Sequence, residues 1–305
     1  MSRLGSSPEE QPHEPDERPS VVAMGGGHGL AATLRALRRI RVRPTAVVSV
    51  ADDGGSTGRL RADSERAAPG DIRKCLVSLS SEAGPLTRVM EHRFGAGELE
   101  GHSFGNLLLA ALEESEGGLI PAVEVVSDLL GVEGAVLPAT GDVVELVAIL
   151  DSGEEVVGQA AVAATAGIRE VSLRPECSPP EQVLGAIAAA DTLLLGPGSL
   201  YTSVLAAAVV PGLTEAIGLS SAPLVFVCNL RPQAHETDGY DVEAHLSALR
   251  RHGLDPDVVL YDPATMSGAD ALGGPEVVAA PLAAPTGLAH DTTLLASALE
   301  GLLLP

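Results

Sequence analysis

Apolar residues fall in short unbroken runs, and amphipathic stretches separate them. Val21–Met24 is one such run and ends in glycines; Leu30–Arg41 then carries Leu30, Leu34 and Leu37 on one face with arginines between. That spacing predicts a strand followed by a helix. Ala46–Val50 is a second β-branched run ending in a turn. Further helices are predicted over Asp71–Leu79, Asn106–Leu112, Ala122–Leu130, Glu181–Ala190, Tyr201–Val209, Val242–His252 (ended by Gly253) and Asp291–Leu303. Strands are predicted over Glu145–Leu150 and Glu155–Val157, around an Asp-Ser-Gly turn, and over Thr192–Leu195, Leu224–Cys228 and Val258–Tyr261. Ala264–Pro275 reads as loop. Continuous apolar strands alternating with helices imply a parallel sheet covered on both faces, with ligands beyond the strand carboxyl ends. Residues 1–19, rich in Pro, Glu and Ser, are predicted to be a disordered acidic tail, and residues 20–305 a single α/β domain without linker or repeat.

Composition narrows the function classes. The chain carries 19 Lys+Arg against 41 Asp+Glu, a net charge of −22, which argues against nucleic acid as a partner. Three Phe, three Tyr and no Trp leave little for a base-stacking surface. Cys75, Cys177 and Cys228 are far apart and form no CxxC pair, so neither a disulfide scaffold nor a cysteine zinc site is expected. Cys75 falls on the apolar face with Ile72, Leu76 and Leu79 and reads as core. No apolar run reaches the roughly 18 residues of a membrane helix, and the first residues lack a secretory hydrophobic stretch. The expectation is a soluble, cytoplasmic protein with no membrane insertion.

Candidate chemistry sits at the strand ends. Gly25-Gly26-Gly27-His28-Gly29 links the first strand directly to a helix, an arrangement suited to holding a phosphate on helix N–H groups. It is not a clean dinucleotide fingerprint, because Leu30 occupies the third glycine position, and no Lys-Ser/Thr follows as in a Walker loop. After the second strand come Asp52 and Asp53, then Gly55, Ser56, Thr57, Arg59 and Arg61. The two acids suit Mg²⁺ or ribose hydroxyls, and the arginines suit phosphates. Asp71 reads as an N-cap, with Arg73 and Lys74 beside it in a first turn where basic residues oppose the helix dipole. Ser103 and Asn106 open a further helix and are read either as binding groups or as caps. Gly196-Pro197-Gly198-Ser199-Leu200-Tyr201-Thr202 repeats the strand–glycine loop–helix pattern and reads as a second phosphate cradle or an ordinary cap. Asn229 ends the next strand, and His235 and Glu236 follow it. His13, His92, His245, His252 and His290 show no metal-ligand spacing and read as capping or surface residues.

Together these segments resemble the bacterial gluconeogenesis factor (YvcK) family, a branch of the fold group of 2-phospho-L-lactate transferase (CofD). The similarity runs in order from about Val21 to Leu303 and includes His102-Ser103-Phe104-Gly105-Asn106 and Glu236-Thr237-Asp238-Gly239-Tyr240. The resemblance implies a Rossmann-like three-layer α/β/α fold with a mostly parallel sheet, in a cytoplasmic homo-oligomer. It implies a regulatory protein that binds UDP-sugars, particularly UDP-N-acetylglucosamine, and links carbon metabolism to cell shape and peptidoglycan synthesis. Cell-wall synthesis regulators are then its partners, and no cofactor is required. In this reading Gly25–Gly29 hold the diphosphate and Asp52 or Asp53 holds ribose hydroxyls or a metal. Arg59, Arg73 and Lys74 balance the phosphate charge, while Ser199, Tyr201 and Thr202 close the opposite wall. The alternative is a Mg²⁺-dependent transferase acting on a deazaflavin, in whose relatives an acid at the Asp52/Asp53 position serves the metal. A third reading, an NAD-dependent oxidoreductase, lacks a catalytic pair. His28 and Lys74 stand where the family pattern has Thr and Asn.

Overall fold

The apolar runs become the middle of a sheet because both of their faces are covered. Val21, Val22, Ala23 and Met24 are fully buried, and so are Leu193–Leu195. The computed structural model describes residues 17–54, 69–81, 84–269 and 272–304. In chain order the strands are β1 (Ser20–Gly25), β2 (Arg43–Val48), β3 (Ala135–Pro138), β4 (Glu145–Leu150), β5 (Glu155–Val157), β6 (Ile168–Arg174), β7 (Thr192–Leu195), β8 (Leu224–Val227), β9 (Val258–Tyr261) and β10 (Glu276–Ala279).

Seven of them form one sheet in the order β10-β9-β8-β7-β1-β2-β3. Every neighbouring pair is parallel. With helices on both faces this is a three-layer α/β/α, Rossmann-like fold. Strand order reverses between β1 and β7, where Met24 pairs with Leu195 on one side and Val47 on the other. A crevice opens at the carboxyl end of such a switch point. The helix Gly27–Leu37 packs against Pro69–Leu79 and Thr292–Leu303, which fixes the first glycine loop from two sides.

The hairpin expected at Glu145–Val157 forms, but as part of a separate antiparallel sheet, β5-β4-β6, lying in sequence between β3 and β7. Its third strand, β6, escapes the sequence pattern because it is half exposed and carries Arg169, Glu170 and Arg174. The edge strands β3 and β10 leave no clear apolar run for a similar reason: each has four residues and only partial burial. The structure adds the short helices Pro85–Glu91, Gln159–Ala163 and Leu213–Leu219 to those the sequence predicts. Tyr201–Val209 is not one regular helix: Leu200–Leu205 is a π-helix that continues into Ala206–Ala208. No single helix among the described residues is long and apolar enough to cross a membrane.

Candidate functional site

The glycine loops after β1 and β7 meet back to back and form the floor of a cleft of about 410 Å³. Their contact dictates composition. A Cβ on Gly29 would land on the Pro197 carbonyl, so no larger residue fits there. Gly27 has φ +63°, a left-handed conformation that glycine adopts without strain. Thr33 ties the loops together by donating from Oγ1 to the Gly196 carbonyl at 3.2 Å.

The first loop opens the helix Gly27–Leu37, whose N-cap, Gly26, provides no side-chain cap. Asp71 lies inside the helix Pro69–Leu79 and is not its N-cap; its carboxylate instead crosses to the loop. Asp71 Oδ2 accepts from the Gly27 N–H at 2.7 Å, and Oδ1 accepts from Lys74 Nζ at 2.8 Å. Lys74 therefore does not oppose the helix dipole alone, and its ammonium is held on the cleft wall. Among the described residues the first-turn amides of His28 and Gly29 meet no protein acceptor, which leaves the helix start able to take an anion. His28 also lines the cleft, and burial followed by the Lys74 charge lowers its pKa.

The second loop is built differently. Glu236 is buried, and its carboxylate accepts from the Tyr201 N–H at 2.6 Å, the Thr202 N–H at 3.0 Å and Thr202 Oγ1 at 3.0 Å. Burial pushes the Glu236 carboxyl up, and those hydrogen bonds only partly offset it. The amides expected to hold a second phosphate already have an anionic partner from the protein itself. Tyr201 is fully buried, and its hydroxyl bonds to the Ile168 carbonyl and Tyr240. Neither Tyr201 nor Thr202 lines the cleft; Gly198, Ser199 and Ser203 do. Gly198 donates to Asn229 Oδ1 at 3.0 Å, which draws Asn229 onto the same wall.

The adjacent acids after β2 diverge. Asp52 lines the cleft and accepts from the Gly54 N–H at 3.0 Å. Asp53 accepts from the Ala160 N–H at 2.8 Å at the start of the helix Gln159–Ala163, outside the cleft lining. Among the described residues no three His, Cys, Asp or Glu converge as a metal cluster. Gly55, Ser56, Thr57, Arg59 and Arg61 lie outside the described residues.

Arg73 is only 7% exposed and points its hydrogen bonds elsewhere, to Asn106 Oδ1 at 3.0 Å and the Met90 carbonyl at 3.4 Å. Burial lowers its pKa. Ser103 caps the helix Phe104–Ser115, with Oγ accepting from the Asn106 N–H. This buried Arg73–Asn106–Ser103 group lies off the cleft lining. Gly25 and Gly196 likewise shape the loops without lining it, whereas Gly26, Gly27 and Gly29 do.

Gln159, Ser203, Arg231, Gln233 and His290 also line the cleft, although the motifs give none of them a binding role and His290 reads there as a capping or surface residue. Ser203 ends the second glycine-loop motif, and Arg231 and Gln233 lie in the strand-end stretch that begins at Asn229. His290 carries no local motif. Of the other histidines, His245 is buried in the core beside Phe226, and His252 Nε2 accepts from the Val171 N–H at 2.9 Å. Cys75 is core, as expected, and burial raises its thiol pKa.

Known proteins share this frame. The CofD family model, described as 2-phospho-L-lactate transferase CofD, matches residues 21–271. A Deinococcus radiodurans protein named putative gluconeogenesis factor is 46% identical over 246 residues, 79% of this chain and 52% of that protein. The chain thus spans about half the length of that relative. The gluconeogenesis factor of Halalkalibacterium halodurans is 42% identical over 251 residues, 80% of this chain and 78% of the relative. A crystal structure from Bacillus halodurans, described as a member of the UPF0052 family, superposes with a TM-score of 0.87 at 36% identity, covering 93% of this chain and 99% of that one. The chain belongs to the CofD family and, within it, to the proteins named gluconeogenesis factors.

Proposed function

We propose that this protein binds a nucleotide sugar, UDP-N-acetylglucosamine in particular, and acts as a cytoplasmic regulator that couples carbon metabolism to cell shape and peptidoglycan synthesis. The observation that carries the reading is the asymmetric cleft at the switch point. One helix start has free first-turn amides with Lys74 beside it, and Arg231 and the Asn229 segment stand across from it. That combination suits a compact diphosphate. The net charge of −22 over the whole chain disfavours a polyanion such as nucleic acid. Asp52, at the end of β2, stands where dinucleotide folds use an acid on ribose hydroxyls. The regulatory role and a homo-oligomeric state belong to the same proposal. Isothermal titration with UDP-N-acetylglucosamine tests it: heat of binding is expected, and no heat from folded protein at millimolar ligand overturns it.

The description of the matching family model favours a second reading, Mg²⁺-dependent phospholactyl transfer to a deazaflavin. Mg²⁺ keeps several waters and needs only one or two carboxylates plus substrate phosphates, so Asp52 alone suffices to hold it. The metal would neutralise phosphate charge during transfer. Asp53, bonded to Ala160, adds nothing to such a site. A transferase assay with Asp52→Ala as control separates the two readings.

A further inference from the structure

Two buried acceptors line the cleft on the side away from Asp52. The first is His290. Its segment, residues 282–290, is closed by the Ala284 N–H donating to the Ala289 carbonyl and the Asp291 N–H donating to the Leu282 carbonyl. The Asp262 carboxylate holds that segment from below, accepting from the Leu282 N–H at 2.8 Å and the Ala283 N–H at 3.0 Å. One residue on, Asp291 caps the helix Thr292–Leu303. The His290 ring is therefore placed by fixed backbone on both sides.

The ring faces the Cys228 carbonyl, which can only accept, and Nε2 has no partner among the described residues. That arrangement favours the tautomer with the proton on Nδ1. Burial, partly offset by that carbonyl and by Asp262, lowers the His290 pKa to about 4. At neutral pH the buried Nε2 therefore presents a lone pair. The second acceptor is Gln233, whose Nε2 donates to Ser199 Oγ at 2.9 Å while its buried Oε1 has no partner among the described residues. Buried acceptors without donors are uncommon and costly, and here two of them belong to residues that line one cleft.

Sheet order locates them relative to the ligand. Cys228 and Gln233 follow β8, on one side of the β1/β7 switch point, and Asp52 follows β2, on the other. A diphosphate over the switch point then directs its ribose towards Asp52 and the group on its far phosphate towards His290. We propose that His290 and Gln233 form a hydroxyl-reading subsite for the sugar carried on the diphosphate, with His290 Nε2 accepting from a sugar hydroxyl. This rests on the nucleotide-sugar reading and names the part of the ligand that sets specificity.

Titration calorimetry with UDP-N-acetylglucosamine and with UDP, at pH 7.5, tests it on wild type, His290→Phe and His290→Gln, with thermal melts as the check on folding. Wild type is expected to prefer the sugar nucleotide. His290→Phe should weaken UDP-N-acetylglucosamine about tenfold more than UDP, and His290→Gln, which restores an acceptor, should recover part of the difference. Equal losses for both ligands, or none for either, overturn the subsite. If His290→Phe does not fold, Gln233→Leu carries the same expectation and the same refutation. If the wild type binds UDP-N-acetylglucosamine no better than UDP, the subsite fails while nucleotide binding stands. If the wild type binds neither ligand, the parent reading fails and takes the subsite with it.

Discussion

The two glycine loops follow the same sequence pattern, and each receives a carboxylate from elsewhere in the chain, yet only one keeps amides for a ligand. After β1, the helix start has one amide taken by Asp71 and keeps Lys74 beside it. After β7, Glu236 already caps the amides of Tyr201 and Thr202. A glycine-rich turn before a helix thus specifies a backbone shape. Whether that shape is free to bind an anion depends on a carboxylate that the loop itself does not contain. The reasons for glycine differ too: Gly29 has no room for a Cβ against the Pro197 carbonyl, whereas Gly196 adopts φ +74°; only the first loop retains an open helix terminus.

Mutations at the seam and on either side of it test this contrast. The largest effect is expected at the seam itself. Gly29→Ala drives a methyl into the Pro197 carbonyl and should lower stability by about 3 kcal/mol, read as a fall in melting temperature. Next, Glu236→Ala removes the difference between the loops: it leaves two buried amides unpaired and should cost about 2–3 kcal/mol in urea denaturation. Added phosphate or sulfate should recover part of that loss by occupying the vacated helix start, and no recovery would argue against the equivalence of the two loops. Glu236→Gln should cost less and change the pH profile. The folded carboxyl holds its proton to a higher pH than the unfolded one. The stability that the proton confers is complete below the unfolded pKa and lost as pH rises through the folded value. The amide should flatten that limb.

Smaller effects fall on the first loop and the acids after β2. Lys74→Met should weaken nucleotide binding about tenfold by titration calorimetry, through loss of a charge-assisted phosphate contact. The last contrast sets Asp52 against Asp53. Asp53→Ala should cost about 1 kcal/mol of stability, as for a lost helix cap, without touching affinity. Asp52→Ala should do the reverse, weakening the nucleotide about fivefold with little change in melting temperature.

What the sequence disclosed follows from the range of the forces involved. The buried strands β1, β7, β8 and β9 announce themselves because two covered faces demand continuous apolar runs. The strands β3, β6 and β10 do not, since half-exposed segments admit Arg, Glu and Pro. The same limit applies at the site. That Gly27, Asp52, Lys74 and Gly198 sit at strand ends or helix starts is local information. That Asp53 bonds Ala160, Arg73 bonds Asn106 and Glu236 bonds Tyr201 is settled across 107, 33 and 35 residues of chain. Such pairings decide which polar groups remain for a ligand, and no local pattern encodes them. His290 is the converse case: nothing around it in sequence is distinctive, and its setting comes from Cys228 and Asp262, 62 and 28 residues away.

The join between the two glycine loops also governs motion. β1 and β7 are neighbours in one sheet, the Gly196 N–H donates to the Met24 carbonyl at 3.1 Å and Thr33 Oγ1 donates to the Gly196 carbonyl at 3.2 Å, so the two loops are tied together across the β1/β7 boundary. The floor of the cleft is thus a fixed anvil, not one jaw of a hinge. Its shape is set before any ligand arrives, so little ordering entropy opposes binding there. Residence time then becomes a property of the rim, and substitutions in the 282–290 segment should alter how fast a ligand leaves more than how fast it enters.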